Sequence, residues 1–464
     1  MIKSHWPLLA ALALGGCVNL APQYERPEAP VSEQWLPAAS LPKGQVSADI
    51  KWQQFFTDRR LAQVQSLALA NNRDLRLASL NVEKARAQYR IKRADLFPAI
   101  DASVSGTHSR TPGGLSNSGS AVTTHDYSAE LGLSSYELDV FGRVRNLRDE
   151  ALEDYLALTE TRRSTQISLV AEVATAWLTL AADNERLLLA RETLTSQLAT
   201  YDLTQRSYAL GGSAELAVAQ AQTTVETARG DVAFYESEIL QDRNALRLLV
   251  GSDVPDALLP GTHMESAAVL VDIPPGLPSS LLQQRPDVLS AEHTLRSANI
   301  DIGAARAAFY PSISLTASAG SSSAALAGLF EAGSGAWTFA PSISVPIFNG
   351  GSHRATLDSA KVERDIQVQT YQQTLQTAFR EVADALAVRS TLDRRIAAQQ
   401  ALTDASRKSF ELSDALYRGG SKSYLEALDA QRSLYSAQQD LITLRLTEQS
   451  NRITLYKVLG GGWY

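Results

Sequence analysis

Glycine and proline, the residues that most readily end helices, are missing from this 464-residue chain over very long windows. Neither occurs between Asp58 and Phe97, between Arg143 and Leu210, between Ser352 and Arg418, or between Ser421 and Leu459. At about 1.5 Å per residue, the window from Arg143 to Leu210 predicts a helix of roughly 100 Å. No ordinary globular domain houses such an element. Its apolar residues recur at three- and four-residue spacing, as in Leu169, Val173, Ala176, Leu180 and Leu187, with Glu, Arg, Gln and Thr between. That is the stripe of helices packed side by side as coiled coils, and the stripe itself carries packing and no chemistry.

The windows repeat, which sets the architecture. Asp74, Arg93 and Pro98 recur as Asp287, Arg306 and Pro311, each shifted by 213 residues. Tyr208, Gly211, Leu216, Ala221 and Gly251 recur as Tyr417, Gly420, Leu425, Ala430 and Gly460, each shifted by 209. The chain is therefore a tandem duplication, with repeat unit 1 over 58–251, a Pro-rich linker over 252–286 and repeat unit 2 over 287–464. Each unit holds a first helix, a β-hairpin (about 99–138 and 312–348), a long helix (143–210 and 352–418) and a further helix (213–250 and 421–459). A Gly-rich tail closes the second unit.

The hairpins show in a change of period. Ile100, Ala102 and Val104 alternate with Asp101, Ser103 and Ser105, and Tyr127, Ala129, Leu131 and Leu133 alternate with Ser128, Glu130, Gly132 and Ser134. The second unit repeats this with Ile313, Leu315 and Ala317, then with Trp337, Phe339, Ile343, Val345 and Ile347. Period two means strands with one apolar and one polar face. Strands of about ten residues with Gly/Ser loops match the pattern of an outer-membrane β-barrel. Pro341 and Pro346 disturb the last strand. Two soluble hairpins capping a helical bundle remain an open alternative. In a membrane, four strands are too few to close a barrel, and open edges in lipid cost several kcal/mol per unsatisfied group. Several copies must then pool their strands, and three copies give twelve.

Residues 1–16 read as a signal peptide: Lys3 and His5 precede the apolar stretch Pro7 to Leu14, which is too short to span a bilayer. Leu14-Gly15-Gly16-Cys17 resembles the lipobox of bacterial lipoproteins, which implies that Cys17 becomes the lipidated first residue. Val18 stands where inner-membrane retention signals carry Asp, which favours the outer membrane. Residues 17–57, with Pro22, Pro27, Pro30, Pro37 and Pro42, read as an anchor and extended strap. A net charge of -7 argues against nucleic acid.

From the lipobox to the end, the chain resembles the outer-membrane channel lipoproteins of resistance-nodulation-division (RND) multidrug efflux systems. The resemblance rests on Tyr136-Glu137-Leu138-Asp139-Val140-Phe141-Gly142-Arg143, on Gln284-Arg285-Pro286-Asp287, on Ala304-Ala305-Arg306-Ala307-Ala308-Phe309-Tyr310-Pro311 and on Leu459-Gly460-Gly461-Gly462-Trp463. It implies a fold of mixed α and β: a homotrimeric channel whose twelve-stranded barrel, four strands per chain, continues into a long periplasmic α-helical coiled-coil barrel. It also implies docking by a periplasmic adaptor (membrane fusion) protein and a proton-driven inner-membrane RND transporter, with drugs and solvents as cargo.

Gly211-Gly212 and Gly419-Gly420 end the long windows and read as turns at the periplasmic tips. Beyond the second turn, Lys422, Leu425, Glu426, Asp429 and Arg432 fall at three- and four-residue spacing, near one helix face. A threefold axis would set three copies of that face around the pore, where networked ion pairs could hold it shut. By resemblance, Tyr417 and Lys422 are linkers and Leu425 and Asp429 ring residues of a closed gate. Arg418, Glu426 and Arg432 complete the candidate set, with Tyr208 and Glu215 secondary at the first tip. There Ala217 stands where relatives often carry Asp.

No nucleophile elbow, zinc-protease helix, phosphate loop or Cys/His cluster occurs, so the chain reads as a channel without a cofactor beyond the lipid on Cys17, and not as an enzyme. Two other functions stay open: a channel for metal efflux or protein secretion, and a lipid-anchored coiled-coil spacer with no pore.

Overall fold

The computed structural model describes residues 18–32, 51–263 and 279–461. The signal peptide and Cys17 lie outside the described residues, as do residues 33–50 of the strap, 264–278 of the Pro-rich linker and 462–464 of the Gly-rich tail.

The elements run α1 (Trp52–Phe55), α2 (Arg59–Asn71), α3 (Arg73–Ala94), β1 (Asp101–Thr111), β2 (Val122–Glu137), α4 (Arg143–Ala209) and α5 (Glu215–Val250). After the linker come α6 (Pro286–Ala307), β3 (Ser312–Ser323), β4 (Gly335–Ser344), α7 (Ser352–Arg418) and α8 (Tyr424–Val458). The order of elements after the linker repeats that of α3 to α5. α4 and α7 have 67 residues each. The chain divides into two compact units, one built from 1–28, 82–158 and 291–371, the other from 29–81, 159–290 and 372–464.

The first unit holds the sheet, antiparallel in the order β1-β2-β3-β4. Paired residues across an antiparallel ladder share a face, so the register reveals how the alternation adds up. Val104 pairs with Ala129, Leu131 with Ala102 and Ala319, Ala319 with Trp337, Ala317 with Phe339, and Ile313 with Ile343. All of these fall on one face. The other gathers Ser103 with Glu130, Ser105 with Ser128, Ser318 with Gly132 and Thr338, and Ser314 with Ser342. On the apolar face Val104 is 80% exposed and Trp337 79%. Pro341 lies within β4, opposite Leu315 and at the edge of this sheet within the chain, while Pro346 lies beyond the strand. A register shift between Leu133 and Tyr136 contains Ser135 at φ 53°, a β-bulge at the base of β2.

Below the bulge, Asp139 receives the backbone N–H groups of Val144 (3.2 Å) and Arg145 (2.9 Å), capping α4. The strap residues are held close by. Val18 N–H donates to the Val140 carbonyl (3.2 Å), Arg306 to that of Leu20 (3.0 Å) and Asn299 to that of Pro22 (2.9 Å). Arg26 pairs with the buried Glu292 at 2.8 Å.

The second unit has its own core. Phe55 stacks on Tyr456 with ring centroids 4.0 Å apart, and the buried Trp177 donates to the Leu258 carbonyl at 3.0 Å. The buried Arg285 grips Asp287 (2.7 Å), Glu381 (2.8 Å) and the Val458 carbonyl (2.8 Å). These acceptors raise the pKa of its guanidinium against the opposing effect of burial.

Candidate functional site

The two glycine turns lie in the second unit and are built alike. Gly211 has φ 75° and Gly420 φ 72°, values reached at little cost without a Cβ. Gly212 N–H returns to the Ser207 carbonyl and Ser421 N–H to that of Leu416, both after five residues. Gly420 N–H adds a bond to Tyr417, completing the capping pattern that reverses a helix.

Around these turns the four helices are laced by polar groups. Tyr417 Oη stands 3.0 Å from Thr204 Oγ1, joining α7 to α4. Thr224 donates to Gln197 (2.7 Å) between α5 and α4, Gln431 to Ser196 (3.3 Å) between α8 and α4, and Tyr435 to Asp231 (3.0 Å) between α8 and α5. Tyr417 and Tyr201 pack on the cluster of Ala221, Tyr424 and Leu428. Burial pushes the Tyr424 phenol above its ordinary value.

The face of α8 opposite this cluster is the exposed one. It carries Leu425, Glu426, Asp429 and Arg432, with Leu425 55% exposed, and Lys422 lies in the turn just before the helix. The structure thus brings four of the sequence candidates to one exposed helix face, with Lys422 in the turn beside them. From the turn, Lys422 meets Glu426 in the first turn of α8 at 3.1 Å. On α7 Arg418 meets Asp414 at 2.8 Å. At the first tip, Tyr208 is 47% exposed and Glu215 is the exposed first residue of α5, where a carboxylate meets the positive end of the helix.

Tyr417 differs from the rest, because it points into its own chain. The residues that hold it, Thr204, Tyr424 and Ala221, were not among the sequence candidates. Thr204 sits in a helical stripe where a threonine reads as a poor apolar residue. Only the pairing of Tyr208 with Tyr417 through the 209-residue repeat marks the neighbourhood.

Residues 64–252 and 277–461 match the family described as outer membrane efflux protein. The antibiotic efflux pump outer membrane protein ArpC of Pseudomonas putida is 49% identical to the chain over 470 residues, covering 100% of it and 96% of ArpC. The toluene efflux pump outer membrane protein TtgC of Pseudomonas putida matches with the same identity and coverage. Among solved structures, the open state of the Neisseria gonorrhoeae MtrE outer membrane channel aligns with a TM-score of 0.87 and 38% identity, over 96% of this chain and 98% of that one.

Proposed function

The chain belongs to the outer membrane efflux protein family, and on that premise we propose that it is the outer-membrane exit channel of a tripartite RND pump for antibiotics and organic solvents. It is an outer-membrane channel that continues as long helices into the periplasm. The observation that carries the reading is the sheet: one face apolar and exposed, the other Ser/Thr-rich, with β1 and β4 left as open edges. Such a sheet suits lipid on one side and a water-filled lumen on the other.

Closing the edges by pairing β1 of one copy with β4 of the next gives twelve strands in a homotrimer, large enough for an aqueous path. Cys17 carries lipid. The bond of Val18 to Val140, at the junction where strand gives way to helix, supports an anchor that enters the bilayer beside the barrel. A periplasmic adaptor and a proton-driven RND transporter supply the cargo and the energy, since the conduit itself moves nothing.

In this reading Leu425 and Asp429 form the constricting rings, with Lys422, Glu426, Arg418 and Arg432 setting the charge around them. Tyr417 fastens α7 to α4 within each chain, and Tyr208 and Glu215 flank the first turn. Single-channel conductance of the purified oligomer in planar bilayers tests this. The wild type should be nearly silent and a Leu425→Ala, Asp429→Ala double variant should conduct strongly. Silence from both oligomers overturns the channel reading. Equal large conductance from both keeps the channel and removes these residues as its gate.

A further inference from the structure

We propose that His108 and His125 form a binding site for a divalent transition-metal ion, of the copper or nickel class, on the apolar face of the sheet near the β1–β2 loop. The chain has only 6 His, and two of them meet directly across the ladder, His108 opposite His125. Their Nδ1 atoms stand 2.6 Å apart. Two nitrogens bound at about 2.0 Å and at right angles to one another stand roughly 2.8 Å apart, so a square-planar ion needs only a small separation of the two rings. Both side chains are exposed on the strands, so that adjustment disturbs no core.

A third side chain stands on the far nitrogen of His108. Tyr127 Oη lies 3.2 Å from His108 Nε2, and the two rings meet edge to face. With the proton on Nε2, where it donates to Tyr127, the Nδ1 lone pair of His108 faces His125. A polar partner on the distal nitrogen is the usual orienting device of a histidine ligand. Without metal, the 2.6 Å contact needs a proton on one Nδ1; on binding, that proton is transferred to the distal nitrogen of the same ring, which stays neutral, and the freed Nδ1 lone pair joins the coordination.

The donor set decides the class of ion. Imidazole nitrogens suit copper, nickel and zinc, whereas magnesium and calcium need oxygen ligands that these rings do not supply. Arg110 follows two residues after His108 on the same face, opposite Thr123, and its charge opposes a cation held by electrostatics alone. Coordination must therefore provide the affinity. The site stands on the geometry of the hairpin and does not depend on where the channel closes.

The test uses Cu²⁺ as probe on the full-length oligomer, purified in detergent without an affinity tag. Electron paramagnetic resonance should show one copper per chain with nitrogen hyperfine structure. That signal should be lost in both His108→Gln and His125→Gln and kept in His353→Gln. Tyr127→Phe retains both imidazoles and should weaken binding about tenfold. Copper bound without nitrogen ligands, or a signal unchanged in His125→Gln, would mean that the pair is only an imidazole-imidazole hydrogen bond.

Discussion

The hydroxyl oxygens of Thr204 and Tyr417 stand 3.0 Å apart, bridging the ends of the two longest helices across 213 residues of sequence. Thr204 is fully buried and also donates to the Thr200 carbonyl at 2.8 Å, so its hydroxyl serves two neighbours in a tip otherwise packed with Ala221, Tyr424 and Leu428.

Replacing Tyr417 with Phe keeps the ring against that cluster and deletes only the link to α4. Thr204 retains its bond to Thr200, so no buried group is orphaned, and the cost should be about 1 kcal/mol. Thr204→Val should cost slightly more, because it also removes the bond to Thr200. The double variant should be no more than marginally worse than Thr204→Val, since the two residues share one interaction. In bilayers Tyr417→Phe should raise the leak conductance of the closed channel while leaving the sheet intact. An unchanged leak would confine this hydroxyl to fold maintenance.

Arg285 presents the opposite case, a buried cation with three acceptors from separate parts of the second unit. Arg285→Met should lose roughly 3–5 kcal/mol, because it leaves Asp287 and Glu381 near one another with no cation between them and the Val458 carbonyl without its donor. Arg206 is also paired, with Asp202 at 2.7 Å, but both side chains are more than half exposed. Arg206→Met should change stability by no more than about 0.5 kcal/mol. Thermal unfolding followed by helical circular dichroism separates the two.

The long helices were legible because their boundaries are written in glycine and proline, and the duplication gave two readings of each. Gly211 and Gly420 both occupy the left-handed region, as the repeat implied. The strand periods were legible too, but the order in which the four strands pair has no local signal. The same holds for the bulge at Ser135 and for Thr204. Each depends on which residue arrives from a distant segment, and a single sequence records the segments without recording their meeting. Lys422 was read by resemblance as a gate linker, and within the chain it pairs with Glu426, four residues on. Tyr417 was found as a candidate, but its inward partner was not.

A titration should report on the first unit. Burial raises the pKa of Glu150 to about 7, with the charges of Asp301 and Asp154 adding to the rise and Lys92 opposing it. The ordinary carboxylate value lies near 4.3, so between that pH and about 7 the folded chain holds a proton that the unfolded chain has released. The resulting stability is fully present below the ordinary value and is lost as pH rises through about 7. Glu150→Gln carries no charge at any pH. The thermal midpoint of the wild type should therefore fall relative to that of the variant between pH 5 and pH 8. Parallel profiles would show that Glu150 is ionised in the folded chain across this range.

The sheet offers a sharper steric test. A Cβ on Gly320 would sit 2.1 Å from the Ala129 carbonyl oxygen and 2.6 Å from Glu130 Cα, both backbone atoms of β2. No side-chain rotation relieves that contact, so Gly320→Val must push β3 away from β2 along the ladder where Glu130 faces Gly320. Gly335 is the control, since a Cβ there meets nothing within 4 Å. If pooled strands close the barrel, parting β2 from β3 opens every subunit at once. The Gly320→Val chain should then fail to give heat-stable oligomers in the outer-membrane fraction, while Gly335→Ala assembles normally. Normal conducting oligomers from Gly320→Val would show that the β2–β3 contact is not part of the closed barrel wall.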